Sequence, residues 1–210
     1  MPIQLESNVN GDVRSVTVKL TLHRRIGVLV SGGLDSALLY YLIRKMTLSD
    51  HRFSVVPYTI TRNDGSARYA QPVINYIHAV LGIEQQDSIN LAISETDSEL
   101  QVAAGMRELH KTNRNRIFIG IIQTLEEHAM HSVPKPYVPV NSEMFNYPLK
   151  DLTKAHVVQL IIQLGLEKLF TLTHSCVYDI DTPCGTCNRC NERAWAFDQL
   201  GLVDPGIKRD

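Results

Sequence analysis

Ile26-Gly27-Val28-Leu29-Val30-Ser31-Gly32-Gly33-Leu34-Asp35-Ser36-Ala37-Leu38-Leu39-Tyr40-Tyr41-Leu42 is the stretch on which the fold turns. Its first five residues show no polar alternation, as in a strand covered on both faces. Its last six read as a helix packing back on that strand. Between them lies a turn of small residues. Gly32 and Gly33 let the backbone pass close to a ligand with no Cβ in the way. The unpaired N–H groups that open the helix carry a partial positive charge. Together they form a cradle for phosphate oxygens, with the Ser31 and Ser36 hydroxyls as further donors. Asp35 has the wrong sign for a pure anion site, so it calls for a cation beside it. A Mg²⁺ bridging carboxylate and phosphates meets that need.

The glycine–lysine pattern of P-loop ATPases is absent, and so is GxGxxG. Ser-Gly-Gly-x-Asp-Ser after a buried strand instead resembles the pyrophosphate loop of the PP-loop ATP pyrophosphatases. Those enzymes cleave ATP between the α and β phosphates and make adenylates. A bare SGGxDS is also compatible with an ordinary capped turn; the strand before it and the helix after it favour the phosphate loop.

Working outward, the 210 residues suit one domain with a small appendage. We expect a nucleotide-binding domain over 1–170 and a C-terminal region over 171–210. An apolar fraction of 44% is ordinary for a soluble globular chain, and the net charge is −1. Bulk charge therefore gives no reason to expect nucleic acid or an anionic membrane as partner. No apolar run reaches the roughly 20 residues that span a bilayer. No signal peptide is visible after Met1, so a cytoplasmic location is expected.

Residues 1–12 read as a poorly ordered lead-in, followed by period-2 alternation from Val16 to Leu22. Arg24 and Arg25 read as a solvated turn. Phe53–Ile60 reads as a second strand, Tyr69–Leu81 as a helix closed by Gly82, and Ser88–Ile93 as a third strand. Ser94-Glu95-Thr96-Asp97 resembles a capping box for a helix through His110. Arg114 and Arg116 then open what reads as a long helix from Ile117 to about His131. The arginines suit either a solvated helix start or a phosphate contact. His128 and His131 read as surface residues rather than ligands. Tyr137–Val140 reads as a strand and Asn141–Tyr147 as a loop. Thr153 caps a helix to Leu164 that stops at Gly165. Alternating strands and helices of this kind predict an open, mainly parallel α/β sheet with helices on both faces. The ligand of such a sheet sits at the carboxyl ends of its strands, where Ser31–Ser36 falls.

All four cysteines, Cys176, Cys184, Cys187 and Cys190, lie within fifteen residues as C-x7-C-x2-C-x2-C. Four thiolates suit a closed, structural, tetrahedral Zn²⁺ site that staples the C-terminal region. An iron–sulfur cluster and reactive thiols are the rival readings.

A pyrophosphate loop followed by this cysteine spacing resembles the QueC, or 7-cyano-7-deazaguanine (preQ0) synthase, family of queuosine biosynthesis. The matches, in order, are Ser31–Ser36, Arg114-Asn115, Pro148-Leu149 with Thr153-Lys154-Ala155, Leu172–Cys176, Pro183–Cys190, Arg193, Phe197 and Gly201–Pro205. The resemblance implies a PP-loop (adenine nucleotide alpha hydrolase-like) fold using ATP, Mg²⁺ and Zn²⁺ on a deazapurine acid and ammonia, in a homodimer with neither membrane nor nucleic acid as partner. It implies Val30, Ser31, Gly32, Gly33, Leu34, Asp35, Ser36 and Tyr58 at the nucleotide. Asp35, Ser36, Lys154 and Arg114 would carry the catalysis, with the last two as phosphate-facing cations. The family's acidic segments after the second strand and before Pro148 have no counterpart here, which leaves the base-recognising residues unassigned. A tRNA-thiolating PP-loop enzyme and a non-catalytic, zinc-stapled nucleotide-binding module are the alternatives.

Overall fold

The structure, a computed structural model, describes residues 2–20, 24–61, 65–91, 98–124, 142–178 and 181–206. At its centre β3 (Arg25–Leu29) runs between β4 (Ser54–Ile60) and β6 (Arg116–Ile119). β5 (Ile89–Leu91) and β7 (Phe145–Asn146) complete a five-stranded sheet in the order β5-β4-β3-β6-β7, parallel throughout. From β3 the chain winds outward through β4 to β5, then returns to the other side at β6. The order therefore reverses between β3 and β6, the kind of switch point where open α/β sheets bind ligands.

α1 (Leu34–Thr47), α2 (Ala70–Leu81) and α4 (Lys154–Gln163) share the larger core with Ile26, Val28, Val30 and Phe118. α3 (Ser98–Lys111) serves the opposite face, where Leu109 joins Tyr58, Ile117, Ile119, Phe145 and Tyr147. Helices thus cover both faces, as expected. α2 ends at Gly82, whose φ of 64° is the left-handed cap that a side chain resists. After α5 (Leu169–Leu172), α6 (Asn188–Asp198) packs against α4. No helix among the described residues is long and apolar enough to cross a membrane.

Three expectations fail. The lead-in is ordered: β1 (Ile3–Val9) pairs antiparallel with β2 (Asp12–Val18), and β1 packs on α4. Ile117 does not begin a helix, because its apolar run forms β6 beside β3. Asn141–Tyr147 is not wholly loop, since Phe145 and Asn146 pair with β6. The capping box at 94–97, His128, His131 and the strand expected at 137–140 lie outside the described residues.

Candidate functional site

The Ser31–Ser36 loop stands where β3 hands over to α1, at the carboxyl end of the sheet. Gly32 takes φ 86°, and Gly33 caps the helix with no side-chain bond. The first intrahelical bond runs from Ala37 N–H to Gly33 O at 3.1 Å. The N–H groups of Leu34, Asp35 and Ser36 therefore have no acceptor within the helix. Ser36 Oγ donates its proton to Gly33 O at 3.0 Å and accepts from Ser31 N–H at 3.1 Å. Ser31 Oγ lies 3.1 Å from it. Ser36 thus braces the loop from inside, while the less buried Ser31 hydroxyl is better placed to turn outward. Gly120, just past β6, lets that strand meet α1: a Cβ there would lie 2.8 Å from Ser36 N and 2.9 Å from Asp35 C. Nothing in the sequence marks Gly120 except its place in an apolar run.

Asp35 and Lys154, 119 residues apart in sequence, meet as an ion pair with Nζ 2.5 Å from Oδ2. Lys154 is the first residue of α4. A cation there opposes the helix dipole, so its placement serves Asp35 rather than its own helix. Asp35 Oδ1 is buried with no hydrogen-bond partner among the described residues. A carboxylate oxygen left this way, beside bare helix N–H groups, fits a hard cation shared with phosphates. The α4 terminus is itself anchored by the hairpin. Thr153 Oγ1 lies 2.7 Å from His156 Nδ1, and His156 Nε2 lies 3.1 Å from Asp12 O. A carbonyl only accepts, so Nε2 carries the proton and Nδ1 accepts from the threonine.

Of the residues expected at the nucleotide or its phosphates, Val30 adjoins the loop with its side chain in the core, the Tyr58 ring packs away from the loop, and Arg114 lies at the far end of the sheet. Val30 is fully buried; its N–H donates to Tyr58 O at 2.8 Å and its O accepts from Thr59 Oγ1 at 3.2 Å, so both backbone groups are engaged. The Tyr58 ring packs over Gly27 in the smaller core, and only its carbonyl reaches toward the loop. Arg114 lies at the opposite end of the sheet, with Nη1 3.0 Å from Ser54 Oγ at the start of β4. Six residue steps, mostly along β6, lead from it to Gly120, or about 20 Å. A phosphate on the loop is beyond its reach. Leu34 offers only its N–H, since its side chain is core.

The loop's neighbours include groups that the sequence did not point to. His174 N–H donates to Gly32 O at 3.0 Å. Its ring stacks on Tyr69 with centroids 4.6 Å apart and planes 6° off parallel. Tyr69 ends a 3₁₀ turn, Ser66–Tyr69, in the connection that follows β4. Arg68 lies 5.3 Å from the Tyr69 ring centroid and ion-pairs with Asp181, joining that connection to the cysteine segment.

The four cysteine sulfurs all lie within 4.8 Å of one another. Zn–S bonds of about 2.3 Å imply tetrahedral edges of about 3.8 Å, so the set fits one ion. Backbone N–H groups of Tyr178 and Cys184 point at Cys176 Sγ, that of Cys187 at Cys184 Sγ, and that of Cys190 at Cys187 Sγ, over 3.3–3.5 Å. Cys187 also serves as the N-cap of α6. The Thr186 hydroxyl holds the Cys184 thiol down to about 6, whereas burial pushes Cys190 up. A metal ion held by all four sulfurs would favour the thiolate form of each.

The family profile described as "Queuosine biosynthesis protein QueC" matches residues 115–201. The 7-cyano-7-deazaguanine synthase of Hydrogenovibrio crunogenus is 26% identical over 86% of this chain and 94% of its own length. That of Pseudomonas fluorescens is 24% identical over 88% and 96%. That of Nostoc punctiforme reaches 45% identity, over 28% of this chain and 25% of its own. Among solved structures, the U34-tRNA thiolase NcsA from Methanococcus maripaludis, with its [4Fe-4S] cluster, aligns over 89% of this chain and 69% of its own. Its TM-score is 0.52 at 14% identity, a likeness of fold.

Proposed function

We propose that this chain, which resembles the QueC 7-cyano-7-deazaguanine synthases along most of its length, is an ATP-dependent C–N ligase acting on a 7-deazaguanine acid. The observation that carries the proposal is the junction at the end of β3. There the bare N–H groups of α1 lie beside Asp35, whose Oδ1 has no partner among the described residues and whose Oδ2 holds Lys154. That combination suits a triphosphate about to be split at its α-phosphorus.

In the proposed reaction the carboxylate of 7-carboxy-7-deazaguanine attacks the α-phosphorus and pyrophosphate leaves. Ammonia attacks the resulting acyl adenylate, AMP departs and an amide remains. The amide oxygen attacks a second ATP, again releasing pyrophosphate. Loss of AMP and of the nitrogen protons then gives the nitrile. The chain's share is to position and to neutralise charge. The N–H groups of Leu34, Asp35 and Ser36 receive phosphate oxygens. Lys154 offers a fixed cation to the charge that builds on the phosphates. Asp35 Oδ1 would hold Mg²⁺, which when bound offsets the charge of the departing pyrophosphate. Cys176, Cys184, Cys187 and Cys190 would hold Zn²⁺ in a structural role, with no position left for a reacting water. Residues 1–170 then form the nucleotide-binding domain and 171–210 the metal-stapled region of a cytoplasmic, homodimeric enzyme.

Thiolation of tRNA is the less favoured reading. A sulfur carrier needs a free thiol near the nucleotide, whereas the four thiols here converge on one another. The test is incubation with ATP, Mg²⁺, ammonium and 7-carboxy-7-deazaguanine, with mass spectrometry of the base and assays for AMP and pyrophosphate. Substrate-dependent AMP formation with a mass shift to amide or nitrile is expected. ATP binding without turnover on any deazaguanine acid would instead support the non-catalytic module.

A further inference from the structure

We propose that the metal knuckle sets the conformation of the nucleotide loop through Arg193, a positioning residue that acts by way of Thr173 and the backbone amide of His174. The inference rests on the loop being the nucleotide site.

The path is continuous and short. Cys187 and Cys190 lie at the cap and in the first turn of α6, so a metal on their sulfurs fixes where that helix begins and how it is rotated. Arg193 follows Cys190 by three residues and so projects from nearly the same face. Its guanidinium is buried and all five of its N–H groups are engaged. Nε donates to Asp204 Oδ2 at 2.6 Å, and Nη2 to Asp204 Oδ1 at 3.0 Å and Phe170 O at 2.5 Å. Nη1 donates to Thr173 O and Thr173 Oγ1, both at 3.2 Å. Asp204 is also buried, and the paired fork holds the guanidinium in one orientation. Arg193 therefore fixes the carbonyl of the residue immediately before His174.

His174 N–H, in turn, donates to Gly32 O at 3.0 Å. Gly32 O and Gly33 N–H belong to one planar, trans peptide unit, in which the two groups point in opposite directions. Pulling the carbonyl toward His174 aims the Gly33 N–H the other way. Gly32 has φ 86°, and a Cβ on Gly33 would lie 3.7 Å from His174 O, in ordinary contact. The sequence Cys190, Arg193, Thr173, His174, Gly32 thus converts the position of a metal-held helix into the direction of one loop amide.

Two variants test the link from different ends. Arg193→Lys keeps a charge for Asp204 but cannot supply five directed donors. His174→Pro removes the donor to Gly32 together with the ring stacked on Tyr69, so its ATP affinity is compared with that of His174→Ala, which loses the ring but keeps the amide; Thr173 already has φ −101° and ψ 151°, the extended backbone that a following proline requires. Each is purified with its metal content measured. ATP binding is followed by calorimetry with Mg²⁺, and His174 and Gly33 amide exchange by NMR on the Arg193→Lys protein. With metal retained, both variants are expected to bind ATP about tenfold more weakly. The His174 amide is expected to lose protection in Arg193→Lys, and KM for ATP to rise while KM for the acid substrate holds. Metal-loaded Arg193→Lys with unchanged His174 protection and unchanged ATP affinity overturns the link. Should that variant fail to fold, metal-loaded His174→Pro with wild-type ATP affinity overturns it equally. The link survives if the wild type binds ATP but turns over no deazaguanine acid, an outcome that bears on the proposed reaction alone.

Discussion

The Asp35–Lys154 pair offers a prediction whose size follows from burial. Lys154 is 7% and Asp35 19% exposed, and Oδ1 of Asp35 has no partner among the described residues. Removing one member of a buried pair leaves the other charge desolvated, at a cost of 3–5 kcal/mol. Because Asp35 is partly open, the low end applies, about 3 kcal/mol for either Asp35→Asn or Lys154→Met. For a chain of this size that is a fall in Tm of about 6–12 °C. The double variant leaves no unpaired charge and is expected to be no less stable than either single one. The coupling should therefore be at least about 3 kcal/mol in a double-mutant cycle. The assay is thermal unfolding of the metal-loaded, nucleotide-free proteins by circular dichroism. Activity separates from stability, since all three variants stay folded and metal-bound at 25 °C yet lose AMP formation by about 10²–10³ or more. Additive losses of Tm would show that the two side chains do not share one electrostatic fate. Undiminished AMP formation in Asp35→Asn would remove Asp35 from the mechanism.

Cys187→Ser removes a proposed metal ligand and the cap of α6 together, so metal binding and several kcal/mol of stability should be lost, as metal analysis and melting will show. Gly120→Ala places a methyl against the backbone of Asp35 and Ser36, and calorimetry should find ATP affinity reduced at least about tenfold with the fold intact. Arg114→Ala, at the far end of the sheet, should leave kcat/KM for ATP within about twofold, against the expectation drawn from the sequence. His78 is fully buried, its Nε2 2.7 Å from the Tyr40 hydroxyl and its Nδ1 2.6 Å from Glu84 O, and burial lowers its pKa. The unfolded chain then takes up a proton that the folded one refuses, so stability is lost as pH falls below about 6.5. His78→Gln should flatten the Tm-against-pH slope between pH 7 and 5, and an unchanged slope would assign the acid sensitivity to another group.

The central strand, the loop and α1 were legible because they are contiguous and their chemistry is written in small and apolar residues. The hairpin β1–β2, against the expectation of a poorly ordered lead-in, has a legible pattern too. Ile3, Leu5 and Val9 alternate with Gln4, Glu6 and Asn8, and Asn10-Gly11 takes φ 52° and 89°, the two positive values that a tight hairpin turn of this kind requires. Ile117–Ile122 is different. A short apolar run has no period that separates helix from strand, and only the long-range pairing of Ile117 with Gly27 decides it. That one ambiguity also misplaced Arg114: at the start of a helix it could have faced the phosphates, but ahead of a parallel strand it must sit at the amino end. Tyr58 failed for a related reason. Its position on the second strand was right, and its side chain simply faces the sheet surface where Gly27 leaves room for a ring.

The site divides into parts of unequal rigidity, and the division suits the chemistry proposed for it. The phosphate grip is built from backbone: the α1 N–H groups, the Ser36 brace, the Gly120 contact and the Gly32–His174 bond, all fixed by neighbours that are themselves buried. The flank formed by the connection after β4 and the cysteine segment is side-chain work. Tyr69 and His174 stack across a separation of 105 residues, and the Arg68–Asp181 pair above them is solvent-exposed and contributes little to stability. A reaction that adenylates first a carboxylate and then an amide presents the loop with the same triphosphate twice and with a different acceptor each time. If the acceptor of the proposed reaction rests against that flank, the constant partner is held by fixed dipoles and the changing one by adjustable side chains, which satisfies both steps with one loop. It also explains why the acceptor side was the hardest part to read. Backbone cradles demand particular small residues at particular spacings, whereas a wall of side chains gathered from distant segments imposes no local pattern.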